Sequence, residues 1–132
     1  MIGYTMVGTT DLERAVRFYD PIFARMGLTQ CFKDEQVSCW GDKADVSVPR
    51  FATGYPFDGG AASIGNGVMT AFLIKEKAII DDLYAFAIAN GGTDEGAPGL
   101  RPQYGEGFYA AYVRDPDGNK IAFVCYNVTG TE

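Results

Sequence analysis

The chain of 132 residues contains no histidine. Neutral imidazole is the commonest protein metal ligand and the usual general base near neutral pH. Its absence excludes zinc sites built on His, Ser-His and Cys-His nucleophile pairs, and the two-His-one-carboxylate iron centre. Any chemistry falls to carboxylates, Tyr, Lys, Arg or Cys. Cysteine is also sparse: Cys31, Cys39 and Cys125 are odd in number and form no C-x-x-C pair. That pattern argues against a disulfide framework and for buried free thiols in a reducing compartment. No apolar run approaches the roughly 18 to 20 residues that span a bilayer. The first residues, Met1 to Met6, lack the basic region and apolar core of a secretion signal. The expected location is the cytoplasm. Basic residues are outnumbered, 11 Lys and Arg against 17 Asp and Glu, a net charge of −6. This balance disfavours nucleic acid and anionic membrane surfaces as partners.

What is present is the composition of an ordered protein, 47% hydrophobic and 14% aromatic. The length fits one domain, or two small modules sharing a core. Residues 2–7 alternate in the manner of a strand. Thr10 then predicts a helix start, with Glu13 completing the capping box and Asp11 at the positive end of the dipole. Leu12, Ala15, Val16, Tyr19, Ile22, Phe23 and Met26 form one apolar stripe. Pro21 inside the stripe predicts a kink, and Gly27 a left-handed stop. Strands are predicted at 29–33, 37–40 and 45–49.

Residues 51–66, rich in Gly, Pro and Ala, read as a connector between modules of about 1–50 and 67–128. Beyond it the order recurs: a strand at 68–74, a helix at 77–90 ended by Gly91-Gly92, and strands at 100–104, 108–114 and 120–126. Tyr4 and Met69, Tyr19 and Tyr84, and Gly27 and Gly92 are separated by one constant interval, which predicts a duplicated βαβββ unit.

Asp115-Pro116-Asp117-Gly118-Asn119 is the sharpest local signal, a tight turn between two apolar strands. It is not a calcium loop, since position twelve is Tyr126 where a Glu is needed. Gly65-Asn66-Gly67 precedes a strand, so no helix N-terminus stands behind it to hold a phosphate. Asn127-Val128-Thr129 matches a glycosylation acceptor, but without a secretion signal the match reads as chance. The stretch from Arg101 through Tyr104 and Glu106 to Gly107 combines a cation, a phenol and a carboxylate between glycines. It reads either as a binding loop or as an exposed hairpin connection. Trp40, Tyr4, Tyr104, Tyr109 and Tyr112 offer flat faces to a planar ligand, or else plain strand core.

Three stretches carry a resemblance across nearly the whole chain. They are Tyr4 with Thr10-Asp11-Leu12-Glu13-Arg14-Ala15 and Phe18-Tyr19-Asp20; Gly91-Gly92-Thr93-Asp94-Glu95-Gly96-Ala97-Pro98-Gly99; and Phe108 through Asp115-Pro116-Asp117-Gly118-Asn119-Lys120. Together they resemble the glyoxalase, bleomycin-resistance and extradiol-dioxygenase superfamily, the vicinal oxygen chelate proteins. The resemblance implies an α+β fold: two βαβββ modules in a single glyoxalase-like domain, forming a curved mixed sheet around a cleft with helices outside, commonly within a homodimer. Enzymes of this family place metal ligands on the first and last strands of each module. The matching positions here are Tyr4, Met69, Ala122 and, roughly, Ser47. A thioether and a methyl offer a divalent ion no hard donor, so no metal and no other cofactor is expected.

The resulting expectation is a metal-independent protein that binds a small organic molecule, with Tyr4, Trp40, Ser47, Met69, Arg101, Tyr104, Tyr109 and Ala122 around the ligand. One alternative is a metal-free lyase or isomerase acting on a small carbonyl or epoxide compound, with Tyr4 or Glu106 as acid or base. Another is an interaction module without a ligand.

Overall fold

A computed structural model describes residues 1–128, which divide into two compact units with the boundary between Asn66 and Gly67. Thr129, the last member of the glycosylation-like triplet, lies outside the described residues.

The first unit runs β1 (Tyr4–Gly8), α1 (Leu12–Arg25), β2 (Thr29–Lys33), β3 (Val37–Gly41) and β4 (Arg50–Gly54). Its sheet has the order β1-β4-β3-β2, with β1 parallel to β4 and the other pairs antiparallel. The second unit repeats this plan: β5 (Met69–Leu73), α2 (Lys77–Ala89), β6 (Thr93–Leu100), β7 (Tyr109–Arg114) and β8 (Lys120–Cys125), in the order β5-β8-β7-β6 with β5 parallel to β8. The expected α+β fold of two βαβββ modules is therefore present, each sheet mixed and each unit carrying one helix.

In the first unit the apolar stripe of α1 buries Ala15, Phe18, Tyr19, Ile22 and Phe23. Tyr19 packs on Phe51 with ring centroids 4.8 Å apart, and Phe23 stacks on Trp40 at 5.4 Å. Burying side chains of this size contributes roughly 1.5–3 kcal/mol each. The contacts also assign the faces of the sheet. Trp40 and Phe51 point to the helix, so Cys39, Gly41, Arg50 and Ala52, one residue away along their strands, point to the other side. In the second unit Ile80, Leu83 and Ala87 of α2 are buried, as are Ala111, Val113, Ile121 and Phe123 of the sheet beside them.

Several boundaries differ from expectation, each for a local reason. Residues 45–49 form a turn, because the Asp42 and Asp45 carboxylates accept from the Ala44 and Ser47 amides at 2.9 and 3.0 Å. Such side-chain bonds compete with a sheet ladder. The strand lies at Arg50–Gly54 instead, so the first four residues assigned to the connector belong to the sheet. Residues 100–104 are the end of β6 and a short 3-10 turn (Pro102–Tyr104). Pro98 sits within β6 because β6 ends its sheet, where a missing N–H is tolerated.

Helix α1 is capped by Asp11, whose carboxylate accepts from the Arg14 amide at 3.1 Å, one residue later than the expected Thr10. Pro21 is accommodated inside the assigned helix. Gly27 has φ +78°, and the Leu28 amide donates to the Phe23 carbonyl at 2.9 Å, as the left-handed stop requires. The matching residue after α2 is Gly91 (φ +100°), not Gly92. The turn Asp115–Asn119 forms as expected: the Asp115 carboxylate accepts from the amides of Asp117 and Asn119, both at 2.9 Å.

Candidate functional site

The helix-free face of the first sheet holds a groove of about 660 Å³. Tyr4 and Met6 of β1, Val37 and Cys39 of β3, and Arg50 and Ala52 of β4 form its floor. Strand register explains the grouping, since Tyr4 lies beside Arg50 and Met6 beside Ala52. Phe32 and Gln36 wall one side; Tyr55, Pro56 and Phe57 wall the other. The Tyr55 wall is fixed at two points. Its amide donates to the Gln36 carbonyl at 2.9 Å, and its hydroxyl accepts from the Leu12 amide at 3.1 Å. Volume and lining are those of a small-molecule site, mostly apolar with a few polar groups.

Two of those groups have defined chemistry. Burial first, and then neighbouring Cys31, push the Cys39 thiol up to about 11, against the pull of the Arg50 guanidinium. A thiol so placed stays protonated at neutral pH and is a poor nucleophile. Arg50 is half-buried; its Nη2 makes a long contact of 3.4 Å to the Asp42 carbonyl, and its Nε is buried with no hydrogen-bond partner among the described residues.

The expected site residues divide sharply. Tyr4 lines the groove and is 69% exposed. Trp40 does not line it: it is 0% exposed on the helix side, where its indole N–H donates to Asp20 Oδ1 at 2.9 Å. Ser47 lies in the exposed turn before β4, donating through Oγ to Asp45 at 2.6 Å and holding that carboxyl below its ordinary range. The last-strand position of the first unit is therefore Ala52, whose counterpart by register is Ala122.

In the second unit Met69 is exposed on β5. Ala122 is fully buried in a cluster with Ala110 and Val124, against which Phe108 and Tyr112 pack, so it is not an open floor position. Arg101 is turned onto its own strand, donating to the Gly99 and Ala97 carbonyls at 2.8 and 2.7 Å and covering the Tyr112 ring. Its guanidinium is thereby engaged in holding β6. Tyr104 is exposed with its ring edge-on to Phe108. Tyr109 faces the helix, where its hydroxyl donates to Asp81 of α2. Glu106 is exposed and lines a second groove of about 500 Å³ with Leu100, Pro102 and Tyr126.

Of the groove residues missed from the sequence, Met6, Phe32, Gln36 and Cys39 come together only through strand pairing, whereas Arg50 and Ala52 share a cause. With the last strand of the first unit placed at 45–49, Arg50 falls just beyond its end and Ala52 in the connector. Placed at 50–54, the same Arg alternates with buried Phe51 and Thr53 and stands out as the cation of the opposite face.

The donor set does not fit a divalent ion. Tyr4 and Ala52 in the first unit, and Met69 and Ala122 in the second, provide a phenol, a thioether and methyl groups. Among the described residues, no group of three or more His, Cys, Asp and Glu side chains is placed to hold a metal.

A scan against protein-family models finds no match, and a search of curated proteins finds none. Solved structures do match. The chain is similar to a glyoxalase/bleomycin resistance protein from Albidiferax ferrireducens T118, at 34% identity and a TM-score of 0.83, covering 95% of this chain and 98% of that one. It shares its fold with a glyoxalase-related enzyme from Fulvimarina pelagi (22% identity, TM-score 0.71, 95% and 87% covered). It also shares it with a lactoylglutathione lyase from Agrobacterium tumefaciens (22% identity, TM-score 0.65, 95% and 92% covered). With the duplicated βαβββ plan and a relative matched over almost its whole length, the chain belongs to the glyoxalase/bleomycin resistance protein family.

Proposed function

We propose that this protein binds a small organic molecule on the helix-free face of its first sheet and does so without a metal. The observation that carries the reading is the groove itself, open, about 660 Å³ in volume and walled by Phe32, Tyr55 and Phe57. The donor chemistry of Tyr4, Ala52, Met69 and Ala122 supports metal independence. Binding is favoured over a lyase or isomerase because Tyr4 and Glu106 have no hydrogen-bond partner among the described residues that would orient them as acid or base. An open groove likewise favours binding over a role as an interaction module alone.

The test is a screen of small aromatic and aliphatic compounds by methyl NMR, on the protein and on Met6→Arg. Met6 is 47% exposed on the groove floor, so an Arg there can reach water and should change stability by no more than about 0.5 kcal/mol. The expected result is binding that survives dialysis against a chelator and is lost in Met6→Arg. Binding that disappears with chelation, or that persists unchanged in the variant, would overturn the reading.

We also propose a homodimer. β1 and β5 each end their sheet. Such edges are ordinarily covered. Light scattering should give twice the chain mass; a monomer mass across micromolar concentrations would refute it.

A further inference from the structure

Among the described residues the groove carries one cation, Arg50, and no carboxylate, although the chain as a whole has a charge of −6. Nor does Arg50 form an ion pair elsewhere among the described residues. Its placement is built into the sheet. A Cβ on Gly41 would come within 2.6 Å of Arg50 Cγ, so the bare glycine on β3 is what lets the Arg stem lie flat across the strand. Among the described residues the guanidinium makes only one hydrogen bond, a long one from Nη2 to the Asp42 carbonyl at 3.4 Å, and a guanidinium so weakly engaged favours an acceptor that brings charge with it. Beside it, Tyr4, Met6 and Phe32 present exposed apolar surface.

We propose that this groove selects organic monocarboxylates, with the carboxylate on Arg50 and an aromatic or aliphatic body across Tyr4, Met6 and Phe32. A single positive charge in a mostly apolar groove balances a single negative one. A phosphate dianion would need a second cation, and none lines the site among the described residues. The inference rests on the small-molecule reading and adds the chemical class of the ligand.

The experiment compares three probes of one shape and different charge: 2-naphthoate, 2-naphthalenemethanol and 2-naphthylmethylamine. Binding is read from the methyl resonances of Met6, Val37 and Ala52. The naphthoate should bind at least about tenfold more tightly than the alcohol, with the amine weakest. Arg50→Gln should reduce the acid's advantage to nothing, and Gly41→Ala, which displaces the stem while keeping the charge, should diminish it. Equal binding of acid and alcohol to the unaltered protein overturns the anion proposal and leaves small-molecule binding standing. That comparison needs no variant, so it decides the matter even if Arg50→Gln fails to fold. An acid preference that survives Arg50→Gln also overturns the proposal. No shift from any probe at millimolar concentration overturns the monocarboxylate proposal, while small-molecule binding stands or falls with the wider screen.

Discussion

The indole of Trp40 stacks on Phe23, packs against Tyr19 and donates its N–H to Asp20, so its ring and its polar edge are both engaged within the first unit. At 0% exposure it has no surface on which a ligand could lie. Its emission should therefore be blue-shifted, nearly insensitive to iodide and unmoved by a ligand in the groove. Iodide quenching as steep as that of a free indole would show that the ring is not where the sheet places it. Residue identity alone does not separate Trp40 from Tyr4, since both are strand aromatics able to stack on a ligand. One residue of register decides which face each occupies. Tyr4, singled out through the resemblance at its first-strand position, lines the groove, whereas Arg50 was hidden by the misplaced neighbouring strand.

At the level of elements, the strongest sequence signals describe backbone needs that nothing distant can overrule. Gly27 adopts positive φ where it must, and the Asp115–Asn119 turn closes on its own carboxylate. Weaker signals lost to local competition. Thr10 and Asp11 are both good caps. The structure uses Asp11, a charged acceptor at the positive end of the helix, while the Thr9 hydroxyl donates to the Asp11 carbonyl at 3.0 Å and the Thr10 hydroxyl accepts from the Arg14 side chain at 3.2 Å. The β4 strand was obscured because its Gly54 and the Gly- and Pro-containing segment after it read together as connector. That glycine is needed where it stands, since a Cβ there would come within 2.6 Å of the Gln36 carbonyl oxygen. Duplication was legible in the constant interval between Tyr4 and Met69 and between Tyr19 and Tyr84, and the structure buries Ala15, Phe18 and Ile22 of α1 and Ile80, Leu83 and Ala87 of α2 at positions separated by that interval. The groove was not, because its floor depends on pairing between strands far apart in the chain.

For the molecule as a whole, the two units share a vulnerability to alkali, through a different group in each. In the first, burial and Cys31 push Cys39 from its ordinary 9.0 up to about 11. In the second, burial, followed by the hydrogen bond and charge of Asp81, pushes Tyr109 from 10.0 up to about 12. In both cases the folded protein holds the proton more tightly than the unfolded chain does. Their contribution to stability is complete below pH 9 and is lost as pH rises, through about 11 for the thiol and about 12 for the phenol. The melting temperature should therefore be level from pH 7 to pH 8.5 and fall above pH 9. Cys39→Ala should remove the earlier part of the decline. Tyr109→Phe should remove the later part, at a cost near neutrality of about 1–2 kcal/mol for the lost bond to Asp81. A melting curve against pH on the three proteins checks this. If both variants fall with the same slope and onset as the parent, the alkaline loss arises from other groups, and neither Cys39 nor Tyr109 is held protonated by the fold.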